Sequence, residues 1–546
     1  MSLRHPDGLV NLRDLANHVA SNLPEDKTVP IVLGFAGWGS ALFGAINYWG
    51  GIENIPKLLM ERGYTVILAP VGPLSSNWER ACELYRHLTF GKFSVFVHET
   101  QAIEEHNDVE VSYGKYFDSD PEHSPRQSVI SGRKRAILFS ASPQDYVDWR
   151  WSETSKAHFI CHSQGGNTVR YLISLMIRGA GDLHPEYFGS PGRDSWAITV
   201  TTLGTPHRGS TITDVVENFL SKSTIQTIQL LGRLFATVSF NGPDERVYDL
   251  QLDHWDICRV GNETFQDMRR RFESTSGPVA KWICSNNNAF YDNSIKGVYE
   301  LHKKTSLTSK NTYYFSLSFH ATVPFPSDWP PWTVEAIVSF PVPLVRFVRE
   351  VLYSVPIVNI GVWIIDRILN GIINTAGWAI LPRLLSIRDL VSWVTQEVLN
   401  RLLDETDYRI TLPPPGRYLP RNDVMPLMIA FVYAMGGQDL TSEQKIILGP
   451  NLGNWYQNDG IVNTESMRGP DDSVVKNIAA FPISDVNDDS VRGVYWHLGV
   501  HDQMDHADEI GVFIEENTAQ AAKDMYFNIA TLITRLPHRK RQPSHL

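Results

Sequence analysis

Short apolar runs alternate with amphipathic stretches through roughly the first 320 residues. VPIVLGF (29–35), TVILAPVG (65–72), HFICHS (158–163), WAITVTTLGTP (196–206) and NTYYFSLSF (311–319) are brief and rich in β-branched and aromatic residues, so they read as buried strands. Between them, ENIPKLLMERGY (53–64), NWERACELYRHL (77–88) and the stretch from Gly165 to about Arg178 repeat their apolar residues at helical spacing. Strands alternating with helices predict an α/β fold, with a mostly parallel central sheet and helices on both faces. No internal repeat is present.

The pattern changes at residue 323. Residues 323–415 are apolar and punctuated by Pro and Trp, and VLYSVPIVNIGVWII (351–365) and ILNGIINTAGWAILP (368–382) hold no charged residue. Asp366-Arg367 divides them. Each is shorter than the ~18–20 residues that span a bilayer as a helix. A buried helical hairpin in a lid is one reading. The other, favoured by the length and apolarity, is an element dipping into a membrane or lipid-droplet surface, with Arg346, Arg349, Arg367, Arg383 and Arg388 at its margins. The expected division is therefore a core in two parts, 1–322 and 416–535, an apolar helical insertion at 323–415, and a basic tail at 536–546.

Composition narrows the function. Hydrophobic residues make up 42% and charged residues 20%, which suits a folded core. A net charge of −11 argues against nucleic acid as a partner, since phosphate binding needs a dense basic field. The four cysteines, Cys82, Cys161, Cys258 and Cys284, form no C-x-x-C pair and suit a reducing compartment. MSLRHPDGLVNLRDL lacks the apolar run of a secretory signal, so an intracellular location is expected. Ser544-His545-Leu546, after the basic His538-Arg539-Lys540-Arg541, resembles a peroxisomal C-terminal address; the alternative is a chance tripeptide.

HFICHSQGGNTV (158–169) carries the chemistry. A strand runs into Ser163 and a Gly pair follows, as in the G-x-S-x-G turn that presents a nucleophilic serine, except that Cys161 replaces the first Gly. Such a serine needs a base, an orienter for the base and oxyanion donors. In the usual chain order of Ser, acid, His, the partners follow Ser163. Asp459, in NWYQNDGIVNTESM (454–467), is a loop carboxylate beside a tight turn, a pattern that also suits a purely turn-forming Asp. VYWHLGVHDQMDHADEIG (494–511) offers His497, His501 and His506, of which His506 lies farthest past the strand-like segment. GFAGWGS (34–40), after the first strand, would present the N–H of Phe35, and the N–H of Gln164 would be the second oxyanion donor.

PIVLGFAGWG, VGPLSSNWERACELY, CHSQGGNTVRYLISL, TTLGTPHRGS, VYDLQLDHW, NTYYFSLSF, NDGIVNTESMRGP and MDHADEIGV resemble, in this order, blocks of the staphylococcal-type and thermoalkalophilic bacterial lipases. The likeness covers roughly residues 28–320 and 420–515, and implies an intracellular, eukaryotic relative of that α/β-hydrolase family. The family's turn reads A-x-S-x-G, so Cys161 is one step larger than the usual Ala. The resemblance implies Ser163 as nucleophile, Asp459 as orienter, His506 as base, and Phe35 and Gln164 as oxyanion donors. Leu33-Gly34 stands where the family has His-Gly.

It further implies a lid helix at about 210–238, within TDVVENFLSKSTIQTIQLLGRLFATV (213–238), although a permanently docked helix has the same periodicity. Relatives hold a structural zinc with two carboxylates and two histidines. Here Glu79, Asp253 and His123 match three positions, while the fourth reads Phe117, with Asp118 or Asp120 as substitutes. Calcium is expected to be lost or weak, because Asp508 is kept but Phe513 stands where a second carboxylate is needed. No cofactor is expected for the chemistry. The implied function is a lipase or carboxylic ester hydrolase on lipid esters such as triacylglycerol. Its rivals are a phospholipase, a lipid acyltransferase on the same residues, and an inactive lipase-like membrane scaffold.

Overall fold

The computed structural model of the chain describes residues 7–34, 48–50, 54–96, 109–115, 129–133, 135–220, 224–240, 250–305, 308–324, 417–421, 424, 426–512 and 516–538. Phe35, Phe117, Asp118, Asp120, His123, Phe513, nearly all of the apolar segment 323–415 and the C-terminal Ser544-His545-Leu546 lie outside these residues.

Thirteen strands are described: β1 (Ile31–Gly34), β2 (Val66–Leu68), β3 (Ser94–Val95), β4 (Val109–Ser112), β5 (Val129–Arg133), β6 (Ile137–Phe139), β7 (Ala157–His162), β8 (Ala197–Leu203), β9 (Tyr313–Phe319), β10 (Thr322–Pro324), β11 (Tyr418–Pro420), β12 (Val475–Asn477) and β13 (Tyr495–His501). Nine of them form one sheet in the order β12-β13-β9-β8-β7-β1-β2-β6-β3. All pairings in it are parallel except β2 with β6. Every residue of β1, β7, β8 and β9 is buried, as continuous apolar runs covered on both faces must be.

The expected strands and helices form, with shorter bounds in places. The run at 65–72 yields only Val66–Leu68, because Pro70 has no N–H for the ladder. The helix Asn77–Phe90 starts with a capping box between Ser76 and Glu79 and stops at Gly91 with φ 73°. One helix, Gly8–Asn22, was not among the expected elements. Its buried Leu12, Leu15, Ala16 and Val19 follow helical spacing, and Asn11 Nδ2 donates to the Leu498 carbonyl 2.6 Å away.

The two expected core parts build one sheet, since β9 pairs with β13. β10 pairs antiparallel with β11, Thr322 opposite Pro420 and Pro324 opposite Tyr418. The chain thus leaves and re-enters the described structure at adjacent points. No helix among the described residues is long and apolar enough to cross a membrane.

The single lid helix expected at about 210–238 is instead two helices, Ile212–Leu220 and Thr224–Ser239. Residues 221–223 between them lie outside the described residues. Each helix has its own partner. Ile212 and Val215 pack with Met435, whereas Leu231, Phe235 and Ala236 pack with Met268, Phe272 and Trp282. Gly232 lets the second helix approach closely: a Cβ there would lie 2.7 Å from the Phe272 carbonyl carbon.

Candidate active site

Ser163 follows the last residue of β7 and caps the helix Gln164–Arg178, with φ 53° and ψ −134°. A non-Gly residue at positive φ is strained, and the surroundings hold it there. Its N–H donates to the Leu203 carbonyl at 2.9 Å, and its carbonyl accepts from Thr205 Oγ1 at 2.8 Å. Gly166 allows the tight exit, because a Cβ there would lie 2.3 Å from Thr205 Oγ1. The missing glycine is explained across the sheet. Cys161 pairs in register with Gly34 of β1, and a Cβ on Gly34 would stand 3.2 Å from Cys161 Sγ. The absent side chain at 34 makes room for the thiol. Cys161 is fully buried, and burial pushes its thiol up, so it stays protonated and behaves as a small hydrophobe.

Asp459 and His506 meet. Asp459 Oδ2 is 2.7 Å from His506 Nδ1, and the backbone N–H of His506 donates to the Asp459 carbonyl at 3.0 Å. Asp459 is fully buried, and its Oδ1 accepts the N–H groups of Ile461 and Val462 at 2.8 and 2.7 Å. Gly460, at φ 105°, makes this turn possible. The other two histidines go elsewhere: His497 Nε2 lies 2.9 Å from Ser318 Oγ, and His501 Nδ1 lies 2.9 Å from Asp7 Oδ1. His162, the residue before Ser163, lies against His506 with ring centroids 4.3 Å apart. That contact brings the Ser163 turn to the Asp459–His506 pair.

Gln164 is the first residue of the helix after Ser163, where N–H groups lack intrahelical partners. Its side chain is held by Arg80 NH1 at 3.3 Å; Arg80 Nε also donates to Thr168 Oγ1 at 3.0 Å. The SSNWER segment therefore buttresses the Ser163 turn. Residue type alone did not assign Arg80 this part, although a fully charged side chain inside an amphipathic helix next to Asn77 was a legible signal.

The residues expected to hold zinc have other partners. Glu79 Oε1 accepts from His254 Nε2 at 2.6 Å and Trp255 Nε1 at 2.7 Å, and its Oε2 accepts from the Ser76 N–H at 2.7 Å. Burial alone would raise its pKa, but His254 and these donors hold the carboxyl below its usual value. Asp253 Oδ2 pairs with Arg133 NH1 at 3.1 Å, and Arg133 NH2 donates to the Gln251 carbonyl at 3.0 Å. Among the described residues, no group of three metal-ligating side chains includes Glu79 or Asp253. A guanidinium supplies the positive charge beside Asp253, and both described carboxylates are engaged by protein donors, while His123 lies outside the described residues. Asp508 is likewise used within its own turn, its Oδ2 accepting the Asp505 N–H at 2.9 Å.

The sheet order, the strained serine after β7 and the flanking helices define an α/β-hydrolase fold. Residues 144–325 match the family model described as "Lipase-like, C-terminal domain". The chain is 28% identical over 316 residues to Lipase 1 of Staphylococcus aureus (strain MRSA252), covering 55% of this chain and 40% of that protein. It thus spans about two-fifths of the length of the curated relative it matches. Among solved structures, EstA from Clostridium botulinum aligns with TM-score 0.57 at 20% identity, over 98% of this chain and 99% of that one. Staphylococcus hyicus lipase aligns with TM-score 0.57 at 21% identity, over 94% and 97%. Over these regions the chain is similar to lipases, staphylococcal ones among them, and shares their fold.

Proposed function

We propose that the protein is a serine carboxylic ester hydrolase acting on lipid esters such as triacylglycerol. The observation that carries this reading is the Asp459–His506 pair at 2.7 Å, set against the turn that strains Ser163 to φ 53°. In this reading Ser163 Oγ attacks the ester carbonyl while His506 takes its proton, and Asp459 fixes the imidazole and stabilises its charged form. The N–H of Gln164, with that of Phe35, stabilises the oxyanion. The alcohol leaves with the proton returned by His506, and water then releases the acyl group from Ser163 by the same steps.

A lipid surface is the proposed source of the substrate, with residues 323–415 as the element that meets it. The relatives' names as lipases and the charge-free apolar runs support that part of the reading.

Ser163→Ala beside wild type tests the chemistry, with a long-chain ester and a fluorophosphonate probe. Wild type is expected to cleave the ester and take the label, and the variant to do neither. A wild-type protein that does neither overturns the reading. Adding a competing alcohol acceptor separates hydrolysis from acyl transfer by product.

A further inference from the structure

Beneath the Asp459–His506 pair lies a second acid, Glu509, fully buried. Its Oε1 is 3.8 Å from His506 Nδ1, and its Oε2 is 3.1 Å from His162 Nε2. The ligand-type atoms of His162, His506 and Glu509 all lie within 4.8 Å of one another. Gly204, at φ 55°, leaves room for this side chain, since a Cβ there would come within 2.1 Å of Glu509 Oε2. His162 Nδ1 is taken by Tyr48 Oη at 2.7 Å, and burial holds His162 neutral, so it is no counter-cation.

Taken as a carboxylate, Glu509 has no aligned donor on either oxygen among the described residues. Asp459, whose Oδ2 takes His506 Nδ1 at 2.7 Å, is the neighbouring acid of the same histidine. Burial, the Asp459 charge and the nearby Asp505 and Asp508 all hold Glu509 well above the usual carboxylate range. His162, His506, Asp459, Asp505, Asp508 and Tyr526, whose Oη donates to the Glu509 carbonyl at 2.8 Å, are the titratable groups around it.

We propose that Glu509 is a second positioning carboxyl for His506, placed to hold His506 Nδ1–H itself when Asp459 is lost. The geometry allows this, because an oxygen at 3.8 Å needs about 1 Å of movement to reach hydrogen-bond distance, and truncating Asp459 opens that space. A carboxyl oxygen accepts whether or not its partner oxygen is protonated. The proposal rests on the hydrolase reading above.

The test is hydrolysis of a long-chain p-nitrophenyl ester by the full-length protein, with kcat and KM measured separately and corrected for folded fraction by circular dichroism. Asp459→Ala is expected to lose about 10^2-fold in kcat, less than the about 10^4-fold typical where nothing replaces the orienting carboxylate. Asp459→Ala/Glu509→Leu is expected to fall at least tenfold further, whereas Asp459→Ala/Glu509→Gln, which keeps an acceptor oxygen, stays near the single variant. Glu509→Leu alone is expected to lower kcat with KM unchanged, and Glu509→Gln to recover most of that loss. Glu509→Met replaces the Leu variant if the latter melts early. Equal kcat for Asp459→Ala and its double variant with Leu or Met overturns the proposal. Undiminished turnover by Ser163→Ala would instead sink the hydrolase reading itself.

Discussion

Gly34 and Cys161 are register partners on adjacent strands, and a Cβ at 34 would stand in tight contact with the thiol, 3.2 Å away. Gly34→Ala is therefore expected to destabilise the protein, by about 1–3 kcal/mol, through overpacking. Cys161→Ala, which removes the thiol from this contact, is expected to be far milder. Thermal unfolding of both variants, with ester hydrolysis alongside, checks this; equal melting temperatures would refute it.

Ser163 and His506 are expected to act as a unit. Ser163→Ala and His506→Ala should each lower kcat by about 10^4-fold or more, and the double variant should be little worse than either. Additive losses in a kinetic cycle would mean that the two side chains do not share one step.

Arg133 pairs with Asp253, one of the residues expected from the sequence to hold zinc. Purified protein is expected to contain no stoichiometric zinc, and a chelator should leave its melting temperature unchanged. Arg133→Met should cost about 3 kcal/mol, the low end for breaking a buried pair, because Asp253 keeps some solvent contact. Elemental analysis and chelator-treated melts decide the matter.

Stability should depend on pH through one half-buried acid and two buried histidines, with opposite signs. Burial raises Asp292 to about 7, so the unfolded chain gives up that proton first, and this contribution is lost as pH rises from about 4 to 7. Burial lowers His87 and His158 to about 3, so the unfolded chain binds those protons first, and their contribution is lost as pH falls from about 6.5 to 3. Asp292→Asn is expected to be more stable than wild type above pH 7 and to lose that advantage toward pH 4. Denaturant unfolding across pH 4–8 measures it.

Because β10 and β11 pair at the two ends of the insertion, replacing residues 325–416 by a short Gly-containing turn should preserve the fold. In the proposed function the shortened protein should no longer sediment with lipid vesicles. Vesicle binding equal to that of the full chain would remove the lipid-surface role.

The strands and main helices were legible because buried parallel strands are nearly unbroken apolar runs, and β7, β8 and β9 are such runs. Ser163, Asp459 and His506 could be singled out from motif, order and family likeness. Sequence could not choose on geometry among His497, His501 and His506, since only folding sends the first two to Ser318 and Asp7. The lid pattern was equally ambiguous, because periodicity does not say which neighbour a helix meets.

What the chain by itself determined is the local part: alternating elements, the Gly and Pro positions that end them, and the order of reactive residues. Tertiary structure alone decided who is adjacent. It set Gly34 opposite Cys161, gave Arg133 to Asp253, and buried Glu509 beside Asp459 across 50 residues of sequence. Those pairings depend on strand register and on charge kept from water, and neither is a property of one residue and its sequence neighbours.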